Sequence, residues 1–258
     1  MNGRERILAA LEGDEPDRVP CALGFYHVEI AAGFDDRVDV DFVDVPPSPE
    51  DEALRRRAEP FPPDTRLGSR IQIATYARWQ YRPLESEDAN PLARARTLDD
   101  LRSFPFPEPA VDRPAAADLD KRVRALHDRG LAAAGNLPHL GGELFESAWR
   151  LRGLENFLLD LVSRPAWAHC LLDRLAARAR RHAETLARAG IDVLVLDDDV
   201  GMPGGMMIGP ATWREFFKPR LAAIIDGARG VAPAYDIDEP DVPPENVAAF
   251  LKAVRAYG

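Results

Sequence analysis

Three consecutive aspartates, Asp197, Asp198 and Asp199, follow the apolar run Ile191 to Leu196. Carboxylates crowded at the end of a buried strand lose hydration and repel one another, so one of them is pushed toward neutrality and can hold a proton; alternatively the group can hold a cation or a substrate amine. Side chains alternate along a strand, so at most two of the three face the same way. Asp198 and Asp199 are the candidates, against the plain alternative that they cap the following turn. A second constellation is Phe25-Tyr26-His27-Val28-Glu29. It sets an imidazole and a carboxylate two residues apart, on one face if the chain is extended there. His27 then suits acid or base work, although a histidine at a strand end also serves as a hydrogen-bonded structural residue. His139 in Gly135-Asn136-Leu137-Pro138-His139 has a similar claim, and Tyr235 and Asp236 end a further apolar run before an acidic loop. Met202, Met206 and Met207 lie in a loop rich in glycine and proline, where thioethers form an adaptable apolar wall or simply pack. The candidate catalytic residues are His27, Asp198, Asp199 and Tyr235. The candidate substrate-binding residues are Tyr26, Glu29, Asn136, His139, Met206 and Met207.

These residues need strands to carry them. Val19 to Phe25 is a short apolar run bounded by turn residues, and Val38 to Val45 alternates valine and phenylalanine with aspartate. Leu131 to Asn136, Ile191 to Leu196 and Val231 to Ile237 complete five strand candidates. Arg70 to Arg82 alternates β-branched and aromatic with polar residues and predicts an antiparallel hairpin. Helices are expected over Arg4 to Leu11, Asp118 to Arg129, Glu143 to Leu151, Leu154 to Leu161, Pro165 to Ala189, Thr212 to Ala228 and Pro244 to Tyr257. Ala89 to Pro114, with five prolines, reads as an irregular connection anchored by Phe104 and Phe106. Apolar strands alternating with helices predict a parallel sheet, either doubly wound or in an α/β barrel. No Gly-x-Gly-x-x-Gly turn follows the first strand and no Walker-type loop occurs, which argues against nucleotide binding.

Composition narrows the partners. The chain has 258 residues, a formal net charge of -10 and 29% charged residues, which fits one α/β domain over 1–258 and disfavours nucleic acid and anionic membranes. The arginines Arg174, Arg178, Arg180 and Arg181 read as an exposed helix face. No run reaches the ~18 apolar residues of a spanning helix, and no apolar leader follows the charged N-terminus, so a cytoplasmic protein is expected. Cys21 and Cys170 are far apart, without metal-ligand spacing, and are expected to be buried apolar residues.

The opening Arg4-Glu5-Arg6, Leu8-Ala9-Ala10-Leu11 and Pro16-Asp17-Arg18-Val19-Pro20 resembles the N-terminus of the uroporphyrinogen decarboxylase superfamily. So do Asp198-Asp199-Val200-Gly201, Gly205-Met206-Met207-Ile208-Gly209-Pro210, Trp213-Arg214-Glu215-Phe216 and Lys218-Pro219-Arg220. Ala232-Pro233-Ala234-Tyr235-Asp236 and Pro243-Pro244-Glu245-Asn246 continue the likeness. The resemblance implies a (β/α)8 barrel with its site at the carboxyl ends of the strands. Only five barrel strands are found, so the expected fold is an incomplete barrel with an added antiparallel hairpin. An internal deletion near 229–231 of three units, roughly ninety residues, is implied. The strands ending at Leu196 and beginning at Val231 would flank that gap with unpaired edges, which predicts a homodimer.

The resemblance also frames the function. True uroporphyrinogen decarboxylases clamp a polycarboxylate tetrapyrrole with arginines just after the first strand, whereas this chain has no arginine from Cys21 to Asp36. The other branch transfers methyl groups to or from corrinoid carriers, often with a zinc held by His-x-Cys and a later cysteine; neither motif is present, and no bound zinc is expected. The expectation is therefore a methyltransferase-type paralogue acting on a small molecule, with no tightly bound cofactor and with a corrinoid protein as partner. Its alternatives are porphyrin decarboxylation and a catalytically inactive binding module or decayed product.

Overall fold

The computed structural model describes residues 1–20, 39–44, 90–104, 118–137, 142–202 and 204–235. The expected strand Val19 to Phe25 lies almost wholly outside these residues. So do the hairpin Arg70 to Arg82 and the helix Pro244 to Tyr257.

Helix α1 (Gly3–Glu12) begins with a reciprocal cap: the Asn2 side chain accepts from the Glu5 N–H and the Glu5 carboxylate accepts from the Asn2 N–H. It ends at Gly13, whose φ of 86° suits a residue without a Cβ. The helix lies against the start of strand β1 (Val40–Asp44), so close that a Cβ on Gly3 would come within 2.8 Å of Asp39 Cα. Buried Arg6 binds Asp17 and Asp39, and Arg18 donates to both Asp39 oxygens at 2.8 Å. The charged opening motif is thus a clamp that ties the chain start to the first described strand.

Helices α2 (Leu98–Arg102) and α3 (Leu119–Asp128) precede strand β2 (Ala132–Asn136). Helices α4 (Phe145–Arg152), α5 (Leu154–Ser163) and α6 (Pro165–Arg188) lead to strand β3 (Val193–Leu196). A small hairpin, β4 (Gly201–Met202) with β5 (Gly205–Met206), follows. The chain then runs through α7 (Pro210–Thr212), a π-helical turn (Trp213–Phe217) and α8 (Lys218–Gly227) into β6 (Ala232–Tyr235). The helix expected as continuous from Thr212 is interrupted because Pro219 has no N–H for the Glu215 carbonyl; the Lys218 N–H bonds instead to the Trp213 carbonyl, five residues back.

The main sheet is β1-β2-β3-β6, parallel throughout and in chain order. A doubly wound sheet reverses its order at a switch point. An unreversed order joined by right-handed crossovers puts the connecting helices on one face, which is the order of an α/β-barrel segment. The two faces differ accordingly. Ala133, Leu194 and Leu196 join the large core built with α6, while Val40, Ala132, Ala134, Val193 and Val195 form a smaller cluster on the other face, against Ile7 of α1. At the amino ends Asp192 accepts from Arg4, contacts His127 at 2.8 Å and accepts the Ala133 N–H at 3.0 Å.

Four expectations are corrected. β3 and β6 pair directly, Val193 with Ala232 through Leu196 with Tyr235, so the edges expected to flank a gap satisfy each other. The stretch expected to be irregular contains α2, because Thr97 and Asp100 cap each other's backbone. The arginine series is not a uniformly exposed face: Arg178 is buried and Arg174 donates to the carbonyls of Leu101 and Phe104, fastening α2 to α6. Cys170 is only half-buried, because it lies at the border of the α6 stripe that faces the core. Its expected counterpart Cys21 falls outside the described residues.

Candidate active site

β3 ends at Leu196, and the chain turns sharply through the three aspartates at the carboxyl edge of the sheet. The segment 142–146 closes over that turn. The Glu143 N–H donates to the Asp197 carbonyl at 3.0 Å, and the Asp197 N–H donates to Glu143 Oε2 at 2.9 Å. Gly142 lies so close that a Cβ there would collide with Asp198 Oδ1 and sit 2.7 Å from Asp198 Cα. Only glycine permits this approach.

The approach brings the start of α4 onto Asp198, whose carboxylate accepts the Phe145 N–H at 2.8 Å and the Glu146 N–H at 3.0 Å. Asp198 therefore caps a helix whose opening donors have no partner within the helix. Two such bonds favour the ionised form, yet burial outweighs them and, with the Glu146 charge, pushes the Asp198 pKa up to about 7. Glu143, 3% exposed, is pushed well above the usual carboxylate range by burial first and then by Asp198 and Asp197. Glu146 is also raised by burial, against the opposing pull of Arg150 at 3.0 Å. The result is a set of carboxyl groups whose ionised forms are all disfavoured, with Asp198 poised near neutral pH, at the sheet edge where barrel enzymes place their chemistry.

The expected residues fall out unevenly. Asp198 is at the centre. Asp199 is exposed, and its Oδ1 accepts the Gly201 N–H at 2.9 Å, which is turn capping. Asn136 ends β2 at the same edge, 2% exposed, and its Nδ2 has no hydrogen-bond partner. Tyr235 ends β6 beside Leu196, so its backbone lies at the same edge. Met206 is 59% exposed on the hairpin, whereas Met207 is half-buried against the core. Tyr26, His27, Glu29 and His139 lie outside the described residues. Among the described residues no three His, Cys, Asp or Glu side chains are grouped to hold a metal ion. Glu143 and Glu146 escaped the sequence reading. Their signal was an acidic residue behind Gly141-Gly142 at the entrance to an apolar helix, where acids commonly settle next to the helix N-terminus.

Residues 145–238, from the start of α4 to just past β6, match the family model described as uroporphyrinogen decarboxylase (URO-D). Over this stretch, about a third of its length, the chain is similar to the uroporphyrinogen decarboxylase family. Among solved structures the chain is similar to a methyltransferase from Methanosarcina mazei, with 17% identity and a TM-score of 0.47 over 91% of this chain and 69% of that one. No curated protein matches the sequence. Within the uroporphyrinogen decarboxylase stretch lie Asp198, the methionine hairpin and the helix start that Asp198 caps. Asn136 and Glu143 precede it and reach the same sheet edge from the β2 side.

Among the described residues no helix is long and apolar enough to cross a membrane.

Proposed function

We propose that this chain is a methyltransferase-type member of the uroporphyrinogen decarboxylase superfamily that acts on a small molecule and works with a corrinoid protein. The observation that carries the reading is Asp198, a carboxyl at the strand-end rim whose burial lifts it to a pKa of about 7. Removing a methyl group from oxygen or nitrogen breaks the bond to that atom and leaves the electron pair on it. A leaving alkoxide or amide anion is poor unless a proton arrives with it, and an acid with a pKa near the working pH is the best source. Asp198 supplies that proton, the Phe145 and Glu146 amides hold its carboxylate in place and stabilise the charge left behind, and Gly142 leaves room for this arrangement.

A corrinoid carried by the partner protein, when presented to this rim, supplies the nucleophile that takes the methyl group. The chain's own part is to bind the donor, keep water from the acid and deliver its proton. Neutral acids are also poor clamps for a polycarboxylate tetrapyrrole, and the stretch Cys21 to Asp36 offers no arginine, so electrostatics disfavours porphyrin decarboxylation.

The test incubates the chain with reduced free cobalamin and a panel of methyl ethers and methylamines, following loss of the cob(I)alamin absorbance. Turnover with at least one donor, abolished in Asp198→Asn, is the expected result. No turnover with any donor, together with carboxyl loss from uroporphyrinogen, would assign the carboxy-lyase role instead. Neither activity would point to a binding module.

A further inference from the structure

Two buried polar atoms at the carboxyl edge have no hydrogen-bond partner: Asn136 Nδ2 and Glu143 Oε1. Their residues are 2% and 3% exposed. Protein interiors seldom leave such groups unpaired, because the hydration lost on burial is not returned. Each of these groups is otherwise anchored. Asn136 is fixed by β2, with Asp44 opposite on one side and Val195 on the other. Strand alternation puts it on the face of Ala132 and Ala134, away from the large helical core. Glu143 is fixed by its backbone and Oε2 bonds to Asp197, two residues beyond Val195. Both unpaired atoms thus belong to one end of the β2-β3 pair.

Glu143 is buried next to Asp197 and Asp198; burial first and then those two carboxylates push its carboxyl well above the usual range, against the Asp197 N–H bond it accepts, and so favour the protonated form. Oε2 receives the Asp197 N–H, so a proton on this carboxyl sits on the unpaired Oε1. A neutral carboxylic acid and a primary amide then present two donors and no net charge.

We propose that Asn136 and Glu143 form a two-donor subsite that binds an uncharged oxygen of the substrate, a carbonyl, sulfoxide or ether oxygen, rather than an ammonium group. The proposal rests on the rim being the active site, as in the function argued above, and it narrows the donor to an oxygen compound. A cation finds no ionised carboxylate at this pair, whereas an oxygen lone pair finds two hydrogens.

The experiment is infrared difference spectroscopy at neutral pH in heavy water, wild type minus Glu143→Gln, with dimethyl sulfoxide as the probe. The expected spectrum contains the carbonyl band of a protonated carboxyl, which moves to lower wavenumber as the probe is added. Glu143→Gln retains a donor and the oxygen that accepts the Asp197 N–H, so it is expected to bind the probe within about threefold of wild type. Asn136→Leu is expected to weaken it about tenfold, the loss of one donor. Absence of the protonated band at neutral pH overturns the proposal, as does a band that saturating probe leaves unmoved. The probe-induced shift is read on wild type alone, so a variant that fails to fold does not protect the idea. Methyl transfer is not involved, so a chain that transfers methyl groups without the probe-induced shift loses only the subsite. A chain with the shift but no transfer loses only the assigned reaction.

Discussion

Replacing Asp198 with asparagine is expected to reverse the sign of its effect on stability between acid and mildly alkaline pH. Asparagine keeps one oxygen for the Phe145 or Glu146 N–H but turns an NH2 toward the other, so one helix-opening donor is lost. That costs ~1–2 kcal/mol at any pH. The wild-type carboxyl behaves differently. Its folded pKa of about 7 lies above the 3.8 of a free aspartate, so between these values the folded state holds a proton that the unfolded state has released. Stability from this group is therefore complete below the unfolded pKa and is lost as pH rises through the folded one, by ~4 kcal/mol in all. At about pH 4 the variant should be the weaker protein by ~1–2 kcal/mol, and at about pH 8 the stronger by ~2–3 kcal/mol. Removing the Asp198 charge also relieves Glu143, which adds to the gain at high pH. Urea unfolding followed by circular dichroism at several pH values reads the difference directly, provided the denaturant slope is unchanged. A difference that stays constant with pH, or a wild type that gains relative stability as pH rises, would show that the two backbone bonds outweigh burial. The proton-holding role would then fall.

Arg152 is wholly buried, donates to Asp160 Oδ2 at 2.8 Å and holds the carbonyls of Leu92 and Ala93; Arg152→Met strands the Asp160 charge and is expected to cost ~3–5 kcal/mol in urea unfolding. A cost under 1 kcal/mol would mean Arg164, 2.8 Å from Asp160, suffices alone. His182 is buried with neither ring nitrogen partnered, and burial, helped by Arg178 and Arg181, holds its pKa well below 6.5. The unfolded chain then protonates first, so stability is expected to fall as pH drops below about 6.5, and His182→Leu should remove that slope and raise stability by ~1 kcal/mol. An unchanged slope in the variant would assign it elsewhere.

Several elements were legible in the sequence for direct physical reasons. Val193 to Leu196 and Ala132 to Asn136 are short apolar runs between a helix cap and a turn, and each became a strand within two residues of the expected start. The long helix from Pro165 was marked by proline at its first turn and glycine just beyond its end. The pairing of β3 with β6 was not legible, because the family likeness suggested intervening units, whereas strand adjacency depends on how the helical segment 210–227 crosses the sheet. Asp198 was visible as a carboxylate at a strand end, but its job as a helix cap was not. That job depends on Gly142, 56 positions earlier, letting another segment approach. Glu143 went unseen for a related reason: a single glutamate carries no spacing signal, and the upward push on its carboxyl comes from burial and from two neighbours distant in sequence.

The central claim is that Asp198 delivers a proton during methyl transfer at the sheet edge. The most direct measurement is kcat/KM for methyl transfer from an active donor to reduced cobalamin, as a function of pH, in wild type and Asp198→Asn. The account predicts a wild-type rate that declines above about pH 7 as Asp198 ionises, and a variant slower by ~100-fold or more with no such decline. A wild-type rate that climbs through neutral pH, or a variant that matches it, would contradict the account.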